Sequence, residues 1–350
     1  LNLDAGGCNQ QDGGNTMTKL TIRRRALIGG AALMPLALPA TAQTARRAWP
    51  DRPIRLLQGF AAGGATDIVA RLVSPPMAAE FGQPIVVESR PGAGGTLAAE
   101  ALARAPKDGH TLMMINNGFA VSAALYRRLP YDPIAEIEPV AMVASVGLVL
   151  LAGPAGAPDA IADFAELVRR AQAQPERLNV ATVGVGSTQH LVAEATQAAG
   201  GFRLTHVPYR GTPAALIGLR NGEVQTMVEP ISAVLGQLRG GDVRALAVTS
   251  RTRSPLLPSV PTVAELLGQP DFAIETWYAV AAPAGTPPDI LARIEEVTRA
   301  ATAAPEMRAR LGELGLAPSA ISSRAEVRQA VHAEIARWGA MVERARIERQ

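Results

Sequence analysis

The chain has 350 residues, 48% of them hydrophobic and 19% charged, which supplies a large core and excludes an intrinsically disordered polymer. A formal net charge of +3 with 4% aromatic residues excludes a nucleic-acid footprint built on basic stripes and stacking rings. The single cysteine, Cys8, excludes a disulfide framework.

Residues 1–16 are rich in Gly, Asn and Gln and begin without Met, so Met17 is read as the start. Cys8 has no apolar run ahead of it, which gives a lipid anchor no support. Arg23-Arg24-Arg25, the apolar stretch Ala26 to Leu38 and the A-x-A site Ala40-Thr41-Ala42 are the three parts of a cleavable export signal. Gln43 is then the first mature residue, and 1–42 is leader. Pro35 and Pro39 leave the apolar run too short and too interrupted to span a membrane. Arg24-Arg25-Ala26-Leu27-Ile28 also resembles a twin-arginine signal. The leader holds Lys19 and three arginines against Asp4 and Asp12, so the remainder sits near about +1.

After a linker through Trp49-Pro50, strands and helices alternate, the pattern of an α/β fold with largely parallel sheets. Ile54–Leu57 reads as a strand. The helix from Thr66 buries Ile68, Val69, Leu72 and Val73, and Ser74-Pro75-Pro76 predicts a kink or restart. A strand at Ile85–Glu88, a Gly-rich turn at 92–95, a helix through Ala105 and a strand at Thr111–Ile115 follow. Val140–Ala152 is long for one strand, as a crossing between lobes would be. Next come a helix over 159–173, a strand at Leu178–Thr182, a helix from Ser187 and a strand at Leu204–Tyr209. Thr212 is expected to cap the next helix, with Pro213 opening it. Val224–Val228 and Val243–Val248 read as strands, and Trp277–Ala282 as a second crossing. Helical segments close the chain, the last from Ala325 to about Arg346, charged on one face and expected on the outside. The crossings predict lobe 1 from 49–149 plus 278–350, lobe 2 from 150–277, and a ligand cleft between them.

Two strand–turn–helix stretches, 54–67 and 178–191, put glycines and hydroxyls where free N–H groups and a helix's positive end grip an anion. Gly92-Ala93-Gly94-Gly95 fails as a dinucleotide fingerprint because Leu97 stands where glycine is required. No phosphate-binding P-loop sequence exists. Ser187 and His190 share a helix face, but Gln189 breaks G-x-S-x-G and no orienting acid accompanies them. A hydrolase therefore ranks below a capture protein. None of His110, His190, His206 and His332 shows a second ligand at a recognisable metal spacing, and no cofactor is implied.

Trp49-Pro50-Asp51-Arg52-Pro53-Ile54, Phe60-x-x-Gly-Gly-x-x-Asp67, Arg90-Pro91-Gly92-Ala93-Gly94-Gly95 and Gly184-x-Gly-Ser187-x-x-His190-Leu191 occur in one order with Val207-Pro208-Tyr209-Arg210-Gly211 and Ala282-Pro283-Ala284-Gly285-Thr286-Pro287. So do Asp108-Gly109-x-Thr111-Leu112, Leu246-Ala247-Val248-Thr249-Ser250 and Leu257-Pro258-x-Val260-Pro261-Thr262. In these stretches the chain resembles the Bug family, the periplasmic solute-binding components of tripartite tricarboxylate transporters. The resemblance implies a periplasmic, two-lobed clamshell of the type II binding-protein kind with a two-strand hinge. It implies capture of a small carboxylated solute and hand-over to membrane components of a tripartite transporter. A sensor module docking on a receptor kinase uses the same clamshell and is the alternative. Nucleic acid is not expected as a partner, and a monomer is. The chain departs from the family's pattern at Ala62 (often Pro), His110 (usually Tyr) and Glu229 (commonly Asp).

The expected ligand-binding set is Phe60, Ala62, Gly63, Gly64, Thr66, Asp67, Asn116, Gly186, Ser187, Thr188, His190 and Glu229. The amides of Ala62 to Thr66 are expected to take one carboxylate, directly or through water, and Ser187 and Thr188 the other polar end. Asp67 has two readings, a first-turn residue favoured by the helix dipole or an acceptor for the ligand. His190 is either a packing residue or a ligand contact. Tyr209 and Arg210 are placed to shape or cover the cleft, but Arg210, followed by Gly-Thr-Pro, reads first as a surface turn charge.

Overall fold

The computed structural model describes residues 49–344 and 347–349. The leader and export signal lie outside the described residues. In chain order the elements are β1 (Ile54–Gln58), α1 (Ala65–Phe81), β2 (Ile85–Ser89), α2 (Thr96–Ala103), β3 (Thr111–Asn116), α3 (Asn117–Leu125) and β4 (Ile137–Ala152). They continue as α4 (Phe164–Ala173), β5 (Asn179–Thr182), α5 (Thr188–Gly200), β6 (Thr205–Pro208), α6 (Thr212–Asn221), β7 (Thr226–Pro230), α7 (Ile231–Gly240), β8 (Arg244–Val248) and α8 (Val263–Leu267). The chain closes with β9 (Glu275–Pro283), α9 (Pro288–Ala303), α10 (Pro305–Glu313), β10 (Ala317–Pro318) and α11 (Arg324–Arg344).

The architecture is an α/β clamshell whose two sheets share one strand. β2, β1 and β3 are parallel neighbours, and β9 lies antiparallel between β3 and β4. β4 pairs with β9 from Ile137 through Gly147 and with β7 and β8 beyond it. The parallel β7, β5 and β6 complete the second sheet. All of the sixteen β4 positions except Glu138 and Ser145 are apolar or glycine, as a strand covered on both faces requires.

Several elements depart from the sequence expectation. α7, α8 and β10 were not foreseen, and α4 starts at Phe164 rather than at 159. α1 runs unbroken through Pro75 and Pro76, and Ser74 Oγ donates to Ala70 O at 2.6 Å in the turn the prolines interrupt. α3 was not foreseen because nearly every side of it is buried, which erases the amphipathic stripe that marks a helix in sequence. α11 was expected on the outside. Its charged face is exposed, but Val327, Val331, Trp338 and Val342 sink into the core against α3 and β4.

Candidate functional site

The turn after β1 is braced from within. Gln58, fully buried, donates from Nε2 to Phe60 O at 2.7 Å and accepts from Phe60 N at 2.8 Å. Asp67 Oδ2 accepts from Gly63 N at 3.0 Å, and Arg71 Nε reaches both Asp67 oxygens at 2.9 and 3.0 Å. Gly64 N donates to Ala61 O. The amides of Gly63 and Gly64 are thus spent inside the loop, contrary to the expectation that they face a ligand. Asp67 is a brace, so the first of its two readings fits the geometry. The N–H groups of Ala62, Ala65 and Thr66 have no acceptor among the described residues.

The opposing turn, after β5, is organised the same way. Ser187 caps α5, its Oγ accepting from His190 N at 3.2 Å. The His190 ring turns elsewhere, with Nδ1 3.5 Å from Gly186 N and its edge toward His206. Ser187 and His190 therefore do not form a hydroxyl–imidazole couple. Burial first, then the neighbouring His206 charge, pushes the His190 pKa down to about 4. Thr212 was expected to cap α6. Its hydroxyl instead donates to Glu229 Oε1 at 3.0 Å, and Gly211 takes the cap position without a side-chain bond.

Between the turns lies a narrow cavity with about 20 Å³ of accessible space. Phe60, Gly64, Thr66, Asn116 and Thr188 from the expected set line it. Ala62, Gly63, Asp67, Gly186, Ser187, His190 and Glu229 do not. Capping or first-turn residues of five helices meet there: Gly64 to Thr66 of α1, Asn116 of α3, Thr188 and Gln189 of α5, Gly211 and Thr212 of α6, and Pro230 of α7. Their positive ends converge on one point. No charged side chain among the described residues lines the cavity.

Three buried hydroxyls of the lining, Thr188, Thr276 and Tyr278, have no hydrogen-bond partner by distance and angle among the described residues. Ser232 Oγ approaches Tyr278 Oη, and burial first, then the Glu229 charge, raises the Tyr278 pKa. Asn116 Nδ2 donates to Thr66 Oγ1 at 2.8 Å, which frees the threonine proton for another acceptor. Sequence reasoning missed Gln189, Thr276 and Tyr278. The signal for two of them was present: Thr276 and Tyr278 are hydroxyls two apart, hence on one face, in a strand that is apolar beyond its first residue, Glu275.

Glu229 stands behind the lining. Fully buried, it accepts from Thr212 Oγ1 and from Gln189 Nε2 at 3.1 Å, both lining side chains. Burial pushes its pKa up to about 7 against the pull of those two bonds. Tyr209 and Arg210 line a wider outer chamber with about 380 Å³ of accessible space that shares Phe60, Ala61, Val183 and Gly211 with the cavity.

The halves touch around this space. Ser122 Oγ of α3 lies 3.3 Å from Gly186 O and 3.5 Å from Gly94 O. Tyr126 Oη donates to Val185 O at 3.3 Å. A methyl on Gly94 would meet Gly186 C and O at 2.7 Å, and one on Gly211 would meet Ala61 Cβ at 2.5 Å. The glycines permit a backbone approach that no side chain allows.

Away from the cavity, His190, Glu194 and His206 each bring one ligand atom within 4.8 Å of the others. This corrects the sequence reading that no histidine has a metal-spaced partner. His190 and Glu194 are four apart on α5, a spacing visible in the sequence, while β6 delivers His206 only on folding.

Comparison with known proteins agrees with this architecture. A family model described as the tripartite tricarboxylate transporter family receptor matches residues 69–347. A protein from the tcbD-tcbE intergenic region of Pseudomonas sp. strain P51 is 36% identical over 297 residues, 84% of this chain and 87% of that protein. Protein BugT of Bordetella pertussis is 34% identical, covering 88% of this chain and 92% of BugT. Among solved structures, the periplasmic binding protein BugD aligns at TM-score 0.81 and 30% identity, over 86% of this chain and all of BugD. MatC of Rhodopseudomonas palustris with bound malate aligns at 0.78 and 35% identity, over 84% and 100%. An R. palustris protein with adipate aligns at 0.79 and 32% identity, over 85% and 98%. The chain belongs to the tripartite tricarboxylate transporter receptor family.

Proposed function

We propose that this receptor-family member captures a small carboxylate in the cavity between its turns and presents it to the membrane components of a tripartite transporter. The observation that carries the reading is the convergence of unpartnered hydroxyls, Thr188, Thr276 and Tyr278, with five helix N-termini on one uncharged cavity. A buried hydroxyl without a partner costs about 1–3 kcal/mol, and an anion accepting from it recovers that cost. Neutral donors and helix dipoles suit a carboxylate that must also leave. Malate and adipate in the two R. palustris structures are carboxylates of the expected size class.

We assign Phe60, Gly64, Thr66, Asn116 and Thr188 to the ligand shell, with Gln189, Thr276 and Tyr278 added. Ala62 offers a free amide at the edge of the turn. Gly63, Asp67, Gly186, Ser187, His190 and Glu229 are assigned to the supporting layer. We divide the lobes at 49–149 plus 278–350 and 150–277, with β4 and the approach to β9 as the hinge. The protein is read as a periplasmic carrier without turnover, since the Ser187 hydroxyl serves as a helix cap. Isothermal titration of the purified chain against di- and tricarboxylates, aromatic acids and acidic amino acids tests the reading. Saturable heat with at least one supports it, and no heat with any anionic solute overturns it.

A further inference from the structure

We propose that His190, Glu194 and His206 form a binding site for a divalent late transition cation such as Zn²⁺. Two imidazoles and one carboxylate are a zinc donor set that leaves room for a water as fourth ligand. α5 places His190 and Glu194 on one face, one turn apart, and β6 brings His206 against them. Glu194 Oε1 lies 3.0 Å from His206 Nε2, and the two rings meet edge to face at 4.9 Å between centroids. The ligand atoms fall within 4.8 Å of one another, so shifts of about an ångström bring them to the ~2 Å radius zinc requires.

A second observation shows that protons alone serve this cluster poorly. Gln197 is fixed in orientation: its Oε1 accepts from Leu204 N at 2.6 Å and its Nε2 donates to Ala193 O at 3.1 Å. The same Nε2 sits 2.9 Å from His206 Nε2. If that ring nitrogen accepts from Gln197, it faces the Glu194 carboxylate oxygen lone pair to lone pair. If it carries a proton for Glu194, it faces the Gln197 N–H donor to donor. Neither tautomer suits both neighbours. The other His206 nitrogen, Nδ1, is buried and has no partner among the described residues. A cation between the imidazoles and the carboxylate removes the conflict between His206 and Glu194, and Gln197 gives up its approach to the ring while keeping its bonds to Leu204 and Ala193. The ion would staple α5 to β6, stiffening the helix whose first residues line the cavity.

The test uses the untagged full chain, stripped with chelator and titrated with Zn²⁺ in a calorimeter. One ion per chain is expected to bind through this cluster, with a rise in melting temperature, while Mg²⁺ gives neither effect. Glu194→Gln and His206→Asn should each weaken Zn²⁺ binding by about 10-fold or more, and His332→Gln should leave it unchanged. No Zn²⁺ uptake by the wild type, or uptake unaltered in both variants, overturns the proposal. Should the variants fail to fold, the wild-type histidine ring signals in nuclear magnetic resonance decide. Zn²⁺ is expected to move those of His190 and His206 and to leave those of His110 and His332. The opposite pattern overturns the site. Carboxylate titration is a separate measurement, so failure of either reading leaves the other standing.

Discussion

Replacing Glu229 by glutamine should change how stability depends on pH. The carboxyl is fully buried, with two neutral donors and no cation beside it. Its pKa in the folded chain stands at about 7 against a reference of 4.5. The folded state therefore binds the proton more tightly than the unfolded state, and stability falls as pH rises between those two values. Below pH 4.5 the cost is absent, and above pH 7 it is paid in full. About 2.5 pH units at 1.36 kcal/mol each gives roughly 3 kcal/mol as an order of magnitude. Glutamine keeps the volume and can still accept from Thr212 if the Gln189 amide turns over. Urea melts of both proteins from pH 4.5 to pH 8.5 test the reasoning. The wild-type midpoint should fall across the range, and Glu229→Gln should lack that component and become the more stable protein at pH 8. Parallel curves for the two proteins would refute the argument.

Thr188→Val, Thr276→Val and Tyr278→Phe should each weaken carboxylate binding about 10-fold or more, since hydrogen bonds to charged groups contribute about 1.5–3 kcal/mol. Calorimetry reads the loss, and melts should show no loss of stability in the unliganded protein, because each hydroxyl lacks a partner there. Gly94→Ala adds a methyl 2.7 Å from Gly186 backbone atoms at a φ of +65°. It should weaken ligand binding and enlarge the radius of gyration of the liganded protein in X-ray scattering. Trp338→Ala removes a fully buried ring from α11 and should cost about 3–5 kcal/mol in denaturant titration with little change in ligand affinity. Carboxylate binding at pH 7.5 should take up a fraction of a proton, detected as heats that vary with buffer ionisation enthalpy, and Glu229→Gln should abolish the effect.

The sequence carried most of the chain's element order, because strands such as Ile85–Ser89 and helix starts such as Ser187-Thr188 are set by local pattern and local capping. It pointed to the two turns that flank the cavity, since glycines and hydroxyls between a strand and a helix suit an anion. It did not carry the partition of roles within the turns. Asp67, Ser187 and Glu229 look like ligand contacts because they are polar residues at turns. Each instead satisfies a neighbour that only the folded loop reveals: Gly63 N, His190 N, and the pair Thr212 and Gln189. Tyr278 hid for the opposite reason, inside the apolar crossing expected at Trp277–Ala282 where packing was the natural explanation, and Thr276 lay just outside that expected strand. α3 escaped because burial on all sides leaves no periodicity to read.

The supporting acid explains more than stability. An anion in the cavity lies one side chain away from Glu229, through Gln189 and Thr212. In so poorly solvated a place the two negative charges oppose each other strongly. With the acid poised near neutrality, the cheaper outcome is for Glu229 to take up a proton when the carboxylate enters. The lining contains no cation to cancel the ligand's charge, so its stabilisation rests on hydroxyls, amides and helix termini that remain oriented whether the site is full or empty. Affinity then depends on pH through Glu229. Raising the pH restores the buried negative charge behind the cradle and favours release.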